Sequence, residues 1–170
     1  MSGVLSGSLA LLLSTCVLSG CAAPQPPSPQ GTTTPALSQE QRDDEAFRTL
    51  VTGFLALPFH GEAADDLRPF LTGDALEDEV REIDRYQAAR QEVEGQDTYY
   101  GFSVTSRGEG FMVAQACLDV SGTRIVDADG RDVTPSRSST VSLQLKAVQG
   151  DDGAWRINDM VPNDAVLACD

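Results

Sequence analysis

The sequence predicts an α+β domain in which helices come first and an antiparallel sheet follows. Three observations predict it. Apolar residues recur with a helical period of about 3.6 as far as residue 90. After Gly95 the period changes to 2, the signature of strands. Short Gly- and Asp-rich turns, not helical crossovers, separate the alternating segments, and such turns join antiparallel neighbours.

The elements follow in order. Ser38-Gln39-Glu40-Gln41 fits a capping box, so the folded unit starts near Ser38. Phe47, Leu50, Val51, Phe54 and Leu55 then mark one face of a helix that ends before Pro58. Residues 63–71 read as a short second helical piece. Thr72 or Asp74 caps a third helix, with Leu76, Val80, Ile83 and Tyr86 or Gln87 pointing inward. Its charged face runs from Glu77 to Arg85, with an i,i+4 pair expected between Glu77 and Arg81. Four strands follow. In the first, Tyr100, Phe102 and Val104 alternate with Tyr99, Ser103 and Thr105. The second is FMVAQACLDV, residues 111–120. The third alternates Val141, Leu143, Leu145 and Ala147 with Ser142, Gln144 and Lys146. The last carries Trp155, Ile157 and Val161 on one side. Turns fall at residues 107–110, at Asp129-Gly130 and at residues 150–153. Residues 38–170 are long enough for one domain with its own core.

Ahead of the domain, residues 1–20 read as a lipoprotein signal peptide. Leu18-Ser19-Gly20-Cys21 follows an uncharged apolar stretch of about 15 residues, short of the roughly 20 that a transmembrane helix needs. Small residues before the cysteine suit a narrow peptidase site, and the Cys21 thiol is the nucleophile that takes the lipid. The lead Met1-Ser2-Gly3 has no Lys or Arg, which an upstream start codon would explain. Two acyl chains suffice for stable anchoring, where one is marginal. Residues 21–37 are then the lipidated cysteine and a linker. Pro24, Pro26, Pro27, Pro29 and Pro35 favour extended polyproline backbone there, reaching up to roughly 50 Å from the bilayer.

With 12 basic and 26 acidic residues the chain carries a net charge of −14. Such a balance argues against nucleic acid as a partner and against electrostatic attachment to anionic lipid. Cys16 leaves with the signal and Cys21 is lipidated, so Cys117 and Cys169 remain. In an exported domain they suggest one disulfide. The alternatives are a buried free cysteine with a tail thiol, or metal ligation, which is poorly served by a single histidine, His60.

The order helix–helix–four strands, with LTGDALEDE opening the long helix, resembles the NTF2-like (SnoaL-like, cystatin-like cone) superfamily. It is similar in particular to small secreted or lipid-anchored actinobacterial proteins with this domain. The residues that carry the likeness are Ala116-Cys117-Leu118-Asp119, the polar hairpin after them, Gly153-Ala154-Trp155-Arg156-Ile157 and the near-terminal Cys169. The resemblance implies helices packed on a curved four-stranded sheet, a Cys117–Cys169 pair, and homodimers formed through the sheet face. It supplies no activity, and the polar excursion over residues 121–139 is longer than the pattern expects.

Cones of this kind often enclose a pocket, and some run isomerase or dehydratase chemistry with a buried carboxylate base and a hydroxyl that holds an enolate oxygen. The available parts are Asp119, Tyr86, Tyr99, Tyr100 and Asp97. Asp119 alternates with Cys117 and Gln115 on a semi-polar strand face, so Tyr99, Tyr100, Gln115 and Asp119 form the candidate pocket. Against this, Asp119 reads better as a strand-end acceptor and the tyrosines as a half-buried strand pair. His60 follows a helix end and has no nucleophile context. Residues 127–132 hold three carboxylates and a glycine, but lack the Gly and Glu spacing of a calcium loop, so an Asp-Gly turn is the better reading. No catalytic residue, metal or cofactor is assigned. The expected function is a non-catalytic binding or assembly module. It is lipid-anchored at the extracytoplasmic face of the cell membrane and engages an envelope protein or a small ligand. The alternatives are a small-molecule isomerase or dehydratase, and an accessory subunit of a secretion or conjugation apparatus.

Overall fold

The computed structural model describes residues 36–59 and 63–169, all within one unit spanning residues 36–170. The expected signal, Cys21, nearly all of the linker and His60 lie outside the described residues.

Three helices come first: α1 (Gln39–Leu55), α2 (Ala64–Leu67) and α3 (Gly73–Ala89). The capping box forms as read. The Gln41 amide donates to the Ser38 hydroxyl at 3.2 Å, and the Ser38 amide donates to Gln41 Oε1 at 2.9 Å. On α1, Phe47, Val51 and Phe54 are buried, at the i, i+4, i+7 spacing of one helix face. On α3, Ala75 is buried, and Leu76, Val80 and Ile83 pack against the core. Two local expectations are corrected. Thr72 occupies the N-cap position of α3 but its side chain makes no capping bond. Arg81 pairs with Asp78 at 2.8 Å, not with Glu77, and both partners are exposed.

The helix α2–α3 junction is tied to the last strand by backbone. Thr72 N donates to the Ile157 carbonyl at 2.9 Å and Ile157 N donates to that of Phe70 at 2.8 Å. These two bonds fix where α3 lies along the sheet.

Six strands follow: β1 (Glu92–Gly95), β2 (Thr98–Gly108), β3 (Phe111–Asp119), β4 (Thr123–Val126), β5 (Thr140–Gln149) and β6 (Trp155–Pro162). The main sheet is antiparallel in the order β2-β3-β5-β6, as expected of four strands. A second, two-stranded sheet was not expected. It pairs β1 with β4, so the excursion after β3 is partly a strand. Residues 127–130 turn as read, with Gly130 N donating to the Asp127 carbonyl.

Strand parity decides what faces the helices. Met112, Ala114 and Ala116 of β3 lie opposite Ala147, Leu145 and Leu143 of β5, and all six join the core under α1 and α3. Phe47 sits at 0% exposure with its ring edge-on to Phe102, centroids 5.3 Å apart. Each large side chain buried in this way contributes about 1.5–3 kcal/mol. Leu50, Val80 and Trp155 complete the filling from the sides. The interior of the cone is therefore packed, not hollow.

One strand departs from simple alternation. Tyr100 pairs with Cys117 while Ser103 pairs with Gln115, so β2 spends three residues where β3 spends two. Gly101, at φ +64°, carries the bulge. Tyr99, Phe102 and Val104 consequently pack on the core, and Tyr100, expected on their face, turns outward at 49% exposure.

Candidate functional site

A cavity of about 220 Å³ remains at one end of the packed interior, where α1 ends and β3 leaves the sheet. Phe54, Leu57, Leu118 and Met160 give it an apolar wall, and Glu79, Glu82 and Asp97 give it carboxylates. A wider cleft of about 680 Å³ adjoins it between α3 and the β1–β4 sheet and shares Phe59, Glu79 and Glu82 with it.

The chain between β1 and β2 places Asp97. Gln96 Nε2 donates to the Leu55 carbonyl at 2.9 Å, which ties this link to the end of α1. Arg137, reaching in from the long excursion, donates to the Thr123 hydroxyl at 2.8 Å and to the carbonyls of Val120 and Thr123, each at 3.1 Å. The buried Thr123 hydroxyl lies 2.8 Å from Asp97 Oδ1 and 3.0 Å from the Val120 carbonyl. Its single proton goes to the charged acceptor, the stronger of the two. Burial pushes the Asp97 carboxyl above its ordinary range, and the charges of Asp119 and Glu82 push the same way. The Thr123 hydrogen bond and Arg137 oppose them.

Glu82 is held from its own helix. The Tyr86 hydroxyl donates to Glu82 Oε1 at 2.9 Å and Arg85 pairs with Oε2 at 3.4 Å; burial together with the Tyr86 bond raises the tyrosine to about 12. Sequence reasoning named Asp97 and Tyr86 among several parts but favoured Asp119. No feature of the sequence pointed to Glu82 beyond its place in the charged face of α3.

The four residues of the expected pocket do not meet. Tyr99 faces inward, its hydroxyl 2.8 Å from Thr52 Oγ1 and 3.3 Å from the Arg48 carbonyl, both on α1. Tyr100, Gln115 and Asp119 share the opposite, outer face with Cys117, because residues two apart on a strand lie on the same side. The Ser121 side chain and its amide, the latter at 2.9 Å, hold the Asp119 carboxyl below the ordinary range. It closes a turn and is not a tuned base.

The outer face carries the disulfide. Cys117 and Cys169 are joined at 2.08 Å. The tail from Asn163 to Cys169 runs over the sheet as a strap. Asn163 N donates to the Ser142 carbonyl and its side chain to Gln144 Oε1, both at 2.9 Å. The Ala168 carbonyl comes so close to Gly101 that a Cβ there would sit 2.9 Å from it. Among the described residues no three His, Cys, Asp or Glu side chains are grouped to hold a metal ion, and no helix is long and apolar enough to cross a membrane.

No family model and no curated protein matches the sequence. Solved structures match its fold. A protein of Novosphingobium aromaticivorans, named for aromatic ring hydroxylation, aligns with a TM-score of 0.51 at 14% identity, over 72% of this chain and 94% of its own. One from Catenulispora acidiphila aligns with a TM-score of 0.50 at 10% identity, over 73% and 92%. The fold is an NTF2-like cone. Identities this low extend to the fold alone.

Among the described residues the hydroxyl bonded to Asp97 is that of Thr123, and it donates to the carboxylate itself. The Tyr86 hydroxyl donates to Glu82.

Proposed function

We propose that the chain is a member of the NTF2-like superfamily acting as a non-catalytic binding module, tethered to the extracytoplasmic face of the cell membrane through lipid on Cys21. The single observation that carries the binding reading is the filled cone. Phe47, Leu143, Leu145 and Ile157 fill the space between the helices and the sheet, and a cavity is left at the mouth. A concave, mostly apolar site with a few fixed polar groups is the usual form of a small-ligand site. The tether reading is supported by the Leu18–Cys21 motif and the proline-rich segment after it.

Two measurements test the two halves. Growth with an alkyne-bearing fatty acid should label the wild-type chain and leave Cys21→Ala unlabelled; equal labelling would remove the anchor. A fragment library screened by amide chemical shifts on the full chain should give hits that cluster at Leu118, Met160 and Asp97. Hits confined to the outer sheet face, or turnover of a screened compound that Asp97→Asn abolishes, would overturn the binding reading.

A further inference from the structure

We propose that the cone mouth takes a small protonated amine, its ammonium group on Asp97 and Glu82 and its apolar body against Phe54, Leu57, Leu118 and Met160. This rests on the binding reading above and names the chemistry of the ligand. The cavity supplies both halves of such a site in one wall-and-rim arrangement. Its volume, about 220 Å³, equals that of roughly seven water molecules in the liquid, which suits one aromatic ring with a short arm.

The charge of the ligand follows from how Asp97 is held. Its Oδ1 accepts from Thr123, while no hydrogen bond to Oδ2 is made among the described residues, and Asp97 lines the cavity. Burial withdraws the carboxylate from water and the charges of Asp119 and Glu82 add to that penalty, while the Thr123 hydrogen bond and the Arg137 charge oppose it. An arriving ammonium relieves both the lost hydration and the like-charge repulsion, and donates to the free oxygen. An anion adds to the repulsion, and a neutral group relieves only part of it. The net charge of −14 extends the same preference to the approach path.

The test uses three matched probes, 3-phenylpropylamine, 3-phenylpropanol and 3-phenylpropionate, titrated into the full chain near neutral pH and followed by amide shifts. The amine should bind at Asp97, Leu118 and Met160 at least tenfold more tightly than the alcohol, and the acid not at all. Asp97→Asn should bring the amine to the level of the alcohol. That variant retains a side-chain oxygen for Thr123, so the fold is kept, and Glu82→Gln provides a second, independent reading of the same loss. Equal binding of amine and alcohol at the mouth would overturn the charge inference and leave the binding module standing. If no probe moves the mouth amides, the amine inference falls; the binding reading falls with it only if the fragment screen is also empty there.

Discussion

Breaking the Cys117–Cys169 bond should cost about 4 kcal/mol of folding stability, because the bond closes a long loop in the unfolded chain. The cysteines are 52 residues apart, and loop-closure entropy over such a span gives about 4 kcal/mol at room temperature. For a domain of this size the loss should lower the melting temperature by roughly 10–15 °C. The strap itself contributes little: Leu167 is 71% exposed, and the strap's described bonds are a few backbone and polar contacts. The effect should therefore act through the unfolded state. Urea unfolding of wild type with and without reductant measures it, with Cys169→Ser as the variant that reductant should no longer affect. A chain ending at Pro162 separates the two origins, since it removes the loop closure and the strap together. It should cost no more than about 1 kcal/mol beyond Cys169→Ser. A reductant-insensitive midpoint would refute the argument outright. A truncation that costs several kcal/mol more than the serine variant would place the stabilisation in native contacts of the strap, not in chain entropy.

Three further outcomes are expected. Phe47→Ala should lose about 3–5 kcal/mol in urea unfolding, since the ring is wholly buried against Phe102 and leaves a cavity that rigid sheet residues cannot fill. Gly95→Ala should break the β1–β4 pairing: at φ +94° its Cβ would lie 2.0 Å from the Gly122 carbonyl, so amides 123–126 should exchange freely where in wild type they are protected. Asp97→Asn should stabilise the chain at neutral pH and not below about pH 4. The folded carboxyl is raised above its unfolded value, so its favourable contribution is complete in acid and is lost as the pH rises through the folded pKa. Melting curves from pH 3 to 8 check this, and a variant that melts lower than wild type at neutral pH would show that the Arg137 and Thr123 contacts outweigh burial.

Much of the fold was legible because local chemistry and tertiary need agree. Ser38 and Gln41 cap α1, and the Phe47, Val51 and Phe54 spacing buries one face. The alternation of β3 and β5 likewise fixes which residues meet the helices. The β1–β4 sheet was not legible, since four residues such as Glu92–Gly95 have too few apolar positions to show a period. Its pairing depends on Arg137 and Thr134 reaching back from the excursion to bond Thr123 and the Ile125 amide, which no spacing announces.

The site was missed for a sharper reason. Asp119 and Asp97 are both carboxylates near a strand end, and the alternation of Asp119 with Cys117 and Gln115 drew the reading to Asp119. Parity separates them. Asp119 shares the face of Cys117, and once Cys117 is tied to the strap that face is the outer one. Asp97 precedes β2, where the Gln96 bond to α1 turns the chain into the cone mouth. The bulge at Gly101 then moves Tyr100 off the face of Phe102, so a period-2 count from Phe102 back to Tyr100 gives the wrong side. A single inserted residue in β2 therefore decides which tyrosine the helices see, and the disulfide decides which carboxylate they do not. Candidate pockets read from strand alternation hold only as far as the nearest bulge, and here the nearest bulge lies beside the tyrosine pair itself.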